Sequence, residues 1–504
     1  MMLDQESVTD PAVRTPSAYR DPLTWVIAST VFCAYTTLSV FRLLQLNPTS
    51  FDLSVFTDEV KQYAHFHMPI ADVKGPGFNL LGDHFSPIVA LIAPFFRVFP
   101  SPVTLLVAQA LLAAASIFPV SQLAREKLGP GPARVIALVY GFSWGLQQMI
   151  NFDFHEIAFA VPLLAFSLSA VVRGRIPAAV WWALPLVFVK EDQGFTVAAI
   201  GAYLRMSAVR DGGVDRARVR AGLFLVVWGL GWSILAIAVI IPHFNPDHQY
   251  SYWAQGGVLG PGQSMSPLAL VRQFCYAWPV KLETVVLLLL PTAFIAVRSP
   301  LVFIAVPSVL LRFESSDNVY WGTSWHYNAT VMPILFIAAI DALVRIAAAQ
   351  AREGPDPSPE RAAVLRLRDW WRAAMAGAER HGTAMMLAIA VPLAFQYPLS
   401  GLWNGQTYEI SPEVRAGDAA MALVPDGATV TTLLGMLAPL AARADVFWMS
   451  NSDNPATQYI VFDSNLTGTS DVPAYIAQYY AGHSYTQIFE EDKVYVFRLD
   501  TGSG

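Results

Sequence analysis

The stretch VIALVYGFSWGLQQMINFDFHEIAFAVPLLAFSLSAVV, residues 135 to 172, sets two apolar runs on either side of the short polar segment NFDFHEIA (151 to 158). Each run has nearly the length of a helix that crosses a bilayer core of ~30 Å. Neither alternates with the period of two that membrane strands require, so both read as helices. Between them stand Asp153, His155 and Glu156. Ionisable side chains at lipid depth are costly unless they border water, so this junction reads as part of the wall of a wet cavity.

Working outward, the same alternation of apolar run and short polar joint fills most of the chain. Of 504 residues, 54% are hydrophobic and only 14% charged, and the mean hydropathy is +0.43. That composition lies outside the range of soluble domains and describes an all-α polytopic membrane protein. Eleven spans are expected, near 23–44, 103–124, 133–150, 157–172, 176–189, 194–209, 221–242, 281–297, 300–313, 328–346 and 382–399. The first is too long for a signal segment and lacks a small-residue cleavage site, so it is expected to be retained. With the N-terminal tail (1–22) inside, most of the basic residues fall in inner loops, including Arg205 to Arg220 and the basic insert 351–381, as the positive-inside rule requires. Localisation is therefore expected in the cytoplasmic membrane, with the segment after the last span outside. The two cysteines, Cys33 and Cys275, lie in or beside apolar runs and support neither a disulfide framework nor a thiolate zinc site. No nucleic-acid partner is expected.

The two faces then differ in chemistry. Inner loops carry mostly arginine, whereas the outer loops gather acids, histidines and aromatics. The long first outer loop (45–102) holds FDLSVFTDEVKQYAHF, a helical stripe expected to lie along the membrane with Asp52 as a candidate N-cap, and the short apolar segment SPIVALIAPFFRVF, expected at the interface. Its carboxylates Asp52, Asp58, Glu59 and Asp83 are candidates for a general base that takes a proton from an incoming hydroxyl. His84 follows Asp83 directly. Beyond them, His155 and Glu156 face the joint VKEDQGF, with Lys190, Glu191 and Asp192, and the loop 314–330, with Trp325, His326 and Tyr327. These residues are candidate substrate ligands. His155, Glu156, Glu191 and Asp192 also have the donor types that hold a divalent metal. Lys190 suits an acid partner or a phosphate, as do Arg272, Lys281 and Arg312. The aromatics suit either a sugar ring or the interfacial belt.

After residue 400 the pattern changes. Short β-rich runs (ATVTT, DVFWM, QYIVFD, SYTQIFE, KVYVFRL) alternate with helical stretches, predicting a small extracytoplasmic α/β domain over 400–504 after a membrane domain over 23–399. It carries no nucleotide, nucleophile-elbow or metal motif.

The segments FDLSVFTDEV, GDHFSPIVALIAPFFRVFPSPVTLLVAQALL, FDFHEIAFAVPLLA, VKEDQGF and HYNATVMPILFIAAIDAL together resemble the DUF2079 family of bacterial predicted membrane proteins. The layout, a long first outer loop with a carboxylate followed by many spans and a terminal outer domain, is similar to the GT-C glycosyltransferase superfamily. That resemblance implies a polyprenyl-phosphate sugar donor, an extracytoplasmic glycan, lipid or protein acceptor, and a first-loop carboxylate that by position matches Asp52, with Asp58, Glu59 and Asp83 as rivals. The paired Asp-Glu that some such enzymes carry just after the first span is absent. The expectation is an integral membrane glycosyltransferase of the cell envelope. A transporter or flippase of a lipid-linked envelope precursor, or a non-catalytic envelope assembly factor, is the alternative.

Overall fold

The structure is a computed structural model that describes residues 18–210, 213–252, 266–352, 377 and 381–500. Most of the N-terminal tail and nearly all of the basic insert 351–381 lie outside the described residues. Four helices are long and apolar enough to cross a membrane: Pro22–Leu44 (α1), Pro102–Leu128, Arg216–Phe244 and His326–Ala349. Pro267–Cys275 and Trp278–Thr292 meet at 70° and make a fifth if they form one span. The remaining expected spans are helical but short or broken. The 133–150 run divides into Pro130–Gly141 and Trp144–Asn151. The 300–313 run is a 3-10 turn, Pro300–Ala305, leading into Val306–Glu314. Pro307, next to the first position of Val306–Glu314, explains the second division, since proline starts a helix readily but cannot continue one, whereas the first falls at Phe142–Ser143 with no proline there.

The helix ending at Ala349 is the central post of the bundle, with Phe336 to Ile340 fully buried. Lipid offers no hydrophobic drive between helices, so close backbone packing must hold them together. Helices Gln193–Met206 and Arg216–Leu235 show how. A Cβ on Gly194 would stand 2.3 Å from the Gly229 carbonyl oxygen, and one on Gly201 2.5 Å from that of Gly222. The glycines recur seven residues apart on each helix, so they share one face. A short antiparallel hairpin, β1 (Val209–Arg210) with β2 (Gly213–Val214), joins the two helices.

The C-terminal sheet contains the five expected strands: β3 (Thr429–Thr432), β4 (Asp445–Trp448), β5 (Tyr459–Asp463), β6 (Tyr485–Glu491) and β7 (Val494–Leu499). Their order is β4-β3-β5-β7-β6, with β3 parallel to both neighbours and β7 antiparallel to its own. The helix Leu434–Ala441 makes the crossover from β3 to β4.

Helix α2 (Asp52–Ala64) is covered by protein on two sides, which its apolar stripe alone did not indicate. Leu53, Val60 and Ala64 join the core of the membrane helices, whereas Val55 joins the core of the sheet with Val430, Leu437 and Val446. Apolar side chains on two sides demand two covers, so α2 is wedged between the two bodies. Its N-cap is Phe51, not Asp52, and Phe51 stacks on Trp448 of β4 at 4.8 Å. Asp52 is the first helical residue, where the helix dipole favours a negative charge. At the other end Lys61 Nζ reaches Asp58 at 2.9 Å and donates to the Ala444 carbonyl at 2.7 Å. Asp58 therefore belongs to the seam with the sheet. The segment after α2 folds as two short pieces, Pro87–Ile92 and Ala93–Val98. Leu91, Phe95, Val98 and Phe99 are exposed there, as suits an interfacial position.

Candidate functional site

Two adjoining cavities open among the polar joints singled out in sequence, with volumes of about 170 and 280 Å³. Asp52, Glu59 and Asp83 line the smaller, whereas Glu191, Asp192 and Arg312 line the larger. His84, Glu156, Lys190, His326 and Tyr327 line both. The structure thus brings together most of the residues singled out in sequence. Asp58 and Trp325 are the exceptions: Asp58 faces the sheet, and Trp325 packs edge-on behind Phe152 with ring centroids 4.4 Å apart.

The 151–156 joint is held by its backbone. Gln109, fully buried, donates to the carbonyls of Met149 (3.2 Å) and Asp153 (2.7 Å) and accepts from the His155 amide at 3.0 Å. Asp153 adopts φ +63° and accepts from the Thr49 amide at 2.8 Å. Arg42 donates to the Asn151 side chain and, at 2.5 Å, to the Thr49 hydroxyl, so the end of α1 and this joint move as one. His155 is thereby turned inward. Its Nε2 lies 3.5 Å from Asp52 Oδ2, and its ring stacks on His326 at 3.9 Å and 20°.

Each neighbouring charge has an assigned partner. Asp83 meets Lys74 at 2.5 Å and accepts from the Tyr252 hydroxyl at 3.1 Å. Glu191 meets His84 Nδ1 at 2.8 Å and accepts from the Tyr250 hydroxyl (2.9 Å) and the Phe85 amide (3.1 Å). Glu156 meets Lys190 at 2.9 Å, and Asp192 accepts from the Gln193 amide group at 3.2 Å. Asp52 is more open than Asp83, Glu156 or Glu191, with 31% of its side chain exposed, and it accepts from the Ser50 hydroxyl. Burial pushes its carboxyl up, but His155, Ser50 and Lys74 outweigh burial and hold it at about 2. It is ionised at neutral pH. Glu59, by contrast, is driven well above the usual carboxylate range by burial and by the charges of Glu156 and Asp83. Burial, against the pull of Lys61, raises Asp58 to about 7.

Among the candidate phosphate cations, Arg312 and Lys281 are committed elsewhere. Arg312 donates to the carbonyls of Tyr320 and Gly322 and to Asn328 Oδ1, bracing the 314–330 loop. Lys281 donates to the carbonyls of Gln273 and Phe313. Arg272 is exposed on the surface helix Pro267–Cys275. Lys190 is the candidate that lines both cavities. The donor types expected for a metal are also divided, His155 toward Asp52, Glu156 toward Lys190 and Glu191 toward His84. Among the described residues no three His, Cys, Asp or Glu side chains gather in a metal-ligating arrangement. The residues present do not fit a metal centre, and none enters the chemistry below.

Ser50, Lys74, Tyr250, Tyr252 and Tyr320 were not foreseen. Lys74 sits in the turn VKGPG, and the tyrosines find partners 59 and 169 residues away in sequence. No spacing rule reaches that far.

The His84–Glu191 pair makes stability depend on pH. Burial and the Lys190 charge lower the His84 pKa, but Glu191 and Asp83 overcome both and raise it above its ordinary value. Glu191, despite burial, is held at about 2 by His84 and Lys190. The stability contributed by protonated His84 is complete below the ordinary histidine value of ~6.5 and is lost as pH rises through the higher folded value. The melting temperature of the purified protein should therefore fall as the pH rises above about 6.5, and His84→Asn should flatten that fall. Equal slopes for the two proteins would refute the coupling.

Comparison with known proteins agrees with this architecture. The chain superposes on ArnT from Cupriavidus metallidurans bound to undecaprenyl phosphate with a TM-score of 0.51 and 13% identity, over 97% of this chain and 99% of that one. The apo state of the same protein gives a TM-score of 0.49 and 13% identity over 95% and 97%. The apo oligosaccharyltransferase of Archaeoglobus fulgidus gives a TM-score of 0.38 and 12% identity over 94% and 75%. At such identities the likeness to bound ArnT is one of fold, that of the GT-C glycosyltransferases. No curated protein matches the sequence. The family model described as "Predicted membrane protein (DUF2079)" matches residues 42–492, and the chain belongs to that family.

Proposed function

We propose that the protein is an integral membrane glycosyltransferase that moves a sugar from a polyprenyl-phosphate carrier to an acceptor on the outer side of the cytoplasmic membrane. The observation that carries this reading is the placement of ionised Asp52 at the N-terminus of α2, on a cavity that Lys190 also lines. The GT-C-like fold supports it, since the ArnT of similar architecture was solved with undecaprenyl phosphate. In this reading the shorter and broken helices complete an eleven-span bundle, with the N-terminus inside and the C-terminal sheet in the cell envelope.

The acceptor hydroxyl attacks the anomeric carbon as the bond from that carbon to the carrier phosphate breaks. Asp52 takes the hydroxyl proton as it becomes acidic in the transition state. Lys190, released from Glu156, neutralises the departing polyprenyl phosphate. His84, His155 and His326 line the space in which the sugar moves.

Asp52→Asn keeps the volume of the side chain but cannot take a proton. Transfer of label from polyprenyl-phosphate hexoses to envelope acceptors should fall by ~10² to 10⁴-fold, a barrier increase of about 3 to 5 kcal/mol. Glu59→Gln and Asp83→Asn should retain more activity. Full transfer by Asp52→Asn would remove that residue from the chemistry, and labelled donor crossing vesicles unchanged would favour a transporter. Orientation has its own check in intact cells. A cysteine replacing exposed Ser484 should react with an impermeant thiol reagent, whereas one replacing exposed Arg216 should stay unlabelled. The reverse pattern would invert the topology.

A further inference from the structure

We propose that the smaller lobe of the site receives an uncharged sugar hydroxyl as acceptor and turns away phosphate and carboxylate groups. This rests on the transferase reading and adds the acceptor class to it.

Three carboxylates line the lobe, namely Asp52, Asp83 and Glu156, beside Glu59, whose carboxyl burial drives toward its neutral form, and the two lysines on its wall each already face one of the three. Lys74 is 2.5 Å from Asp83, and Lys190 is 2.9 Å from Glu156. No arginine lines it among the described residues. If Lys190 serves the carrier phosphate, an anionic acceptor finds no second free cation and meets the Asp52 carboxylate directly. Like charges at such a site cost more than in water, because the lobe is partly closed to solvent and screens them less.

The hydrogen-bonding needs of the acids point the same way. Glu156, 1% exposed, is paired with Lys190 at 2.9 Å, and its Oε1 needs a new donor once Lys190 turns to the carrier phosphate. Asp52 keeps an open face with only Ser50 donating to it and His155 beside it. Carboxylate oxygens accept and cannot donate, so the ligand that satisfies them must bring O–H or N–H groups. A phosphate brings acceptors alone. Phe56, Phe152 and Tyr320 add flat apolar walls of the kind that sugar C–H faces pack on.

The chemistry of the base agrees. A phosphate oxygen attacks without losing a proton and has no use for Asp52, whereas a hydroxyl must shed one. The hydroxyl oxygen bonds to the anomeric carbon, its proton passes to Asp52, and the electron pair of the broken bond leaves with the carrier phosphate. Atoms and charge balance without a further reactant.

Saturation-transfer NMR on the full chain in lipid nanodiscs tests this with methyl glucoside and its 6-phosphate ester. The neutral glycoside should bind, with its signal reduced about tenfold in Asp52→Asn and in Glu156→Gln, the loss expected for a hydrogen bond to a charged group. The 6-phosphate should give no signal above that of empty nanodiscs. An octyl glucoside bound more tightly than the methyl form, with the same dependence on Asp52, assigns the hydroxyl to a membrane-borne glycolipid; equal binding assigns it to a soluble glycan. Comparable binding of the 6-phosphate, or a neutral-glycoside signal unchanged in both variants, overturns the proposal. Asp52-dependent transfer to a phosphate-terminated acceptor overturns it too and leaves the transferase reading intact. Specific neutral binding without transfer from any polyprenyl-phosphate sugar supports the lobe assignment and removes the transferase.

Discussion

Helix α2 has apolar residues on two sides, and covering both ties the membrane bundle to the C-terminal sheet. One side gives Leu53, Val60 and Ala64 to the bundle, and the other gives Val55 to the sheet. The aromatic stack of Phe51 on Trp448 and the reach of Lys61 to the Ala444 carbonyl fix the helix at both ends. A helix pinned in this way cannot roll without breaking one of its two cores. Asp52, at its first turn, is therefore delivered to a defined place on the cavity wall. The sheet meets this end of α2 through Val55 and Phe51, and no residue of it lines the smaller cavity among the described residues.

The charges facing α2 follow the logic of burial. An ion removed from water is tolerated when a partner and further hydrogen bonds replace its hydration. Glu191 has three such partners and Asp83 two, so both behave as framework. Asp52 has Ser50 and His155 beside it and Glu156 has Lys190, and both acids line the smaller cavity.

Much of this was legible in the sequence, for identifiable reasons. Arginine asymmetry and the cost of charge near lipid grouped His84, His155, Glu156, Glu191, Asp192 and His326 on one face, and the structure brings them around adjoining cavities. Short runs rich in β-branched and aromatic residues located all five strands of the C-terminal sheet. Helix α2 was legible as a helix but not as a wedge, because an apolar stripe reports that a face is covered without saying by what. Val55 was counted in the same stripe as Leu53, yet it packs on a different body. Span length was blurred by prolines that break apolar runs into helical pieces. The seating of Asp58 beside Lys61, which also reaches Asp445 of the sheet, the retreat of Trp325 behind Phe152 and the tyrosine partners of Asp83 and Glu191 depend on contacts between distant segments. Periodicity carries no information about such contacts.

The account stands or falls on whether a lipid phosphate and Asp52 share one space. Cryo-electron microscopy of the protein in nanodiscs supplied with undecaprenyl phosphate measures this directly. The account predicts a phosphate headgroup in the larger cavity, within hydrogen-bonding distance of Lys190, with the Lys190–Glu156 contact opened and the Asp52 lobe left free beside it. A headgroup bound elsewhere on the bundle, with Lys190 still closed on Glu156, would contradict it.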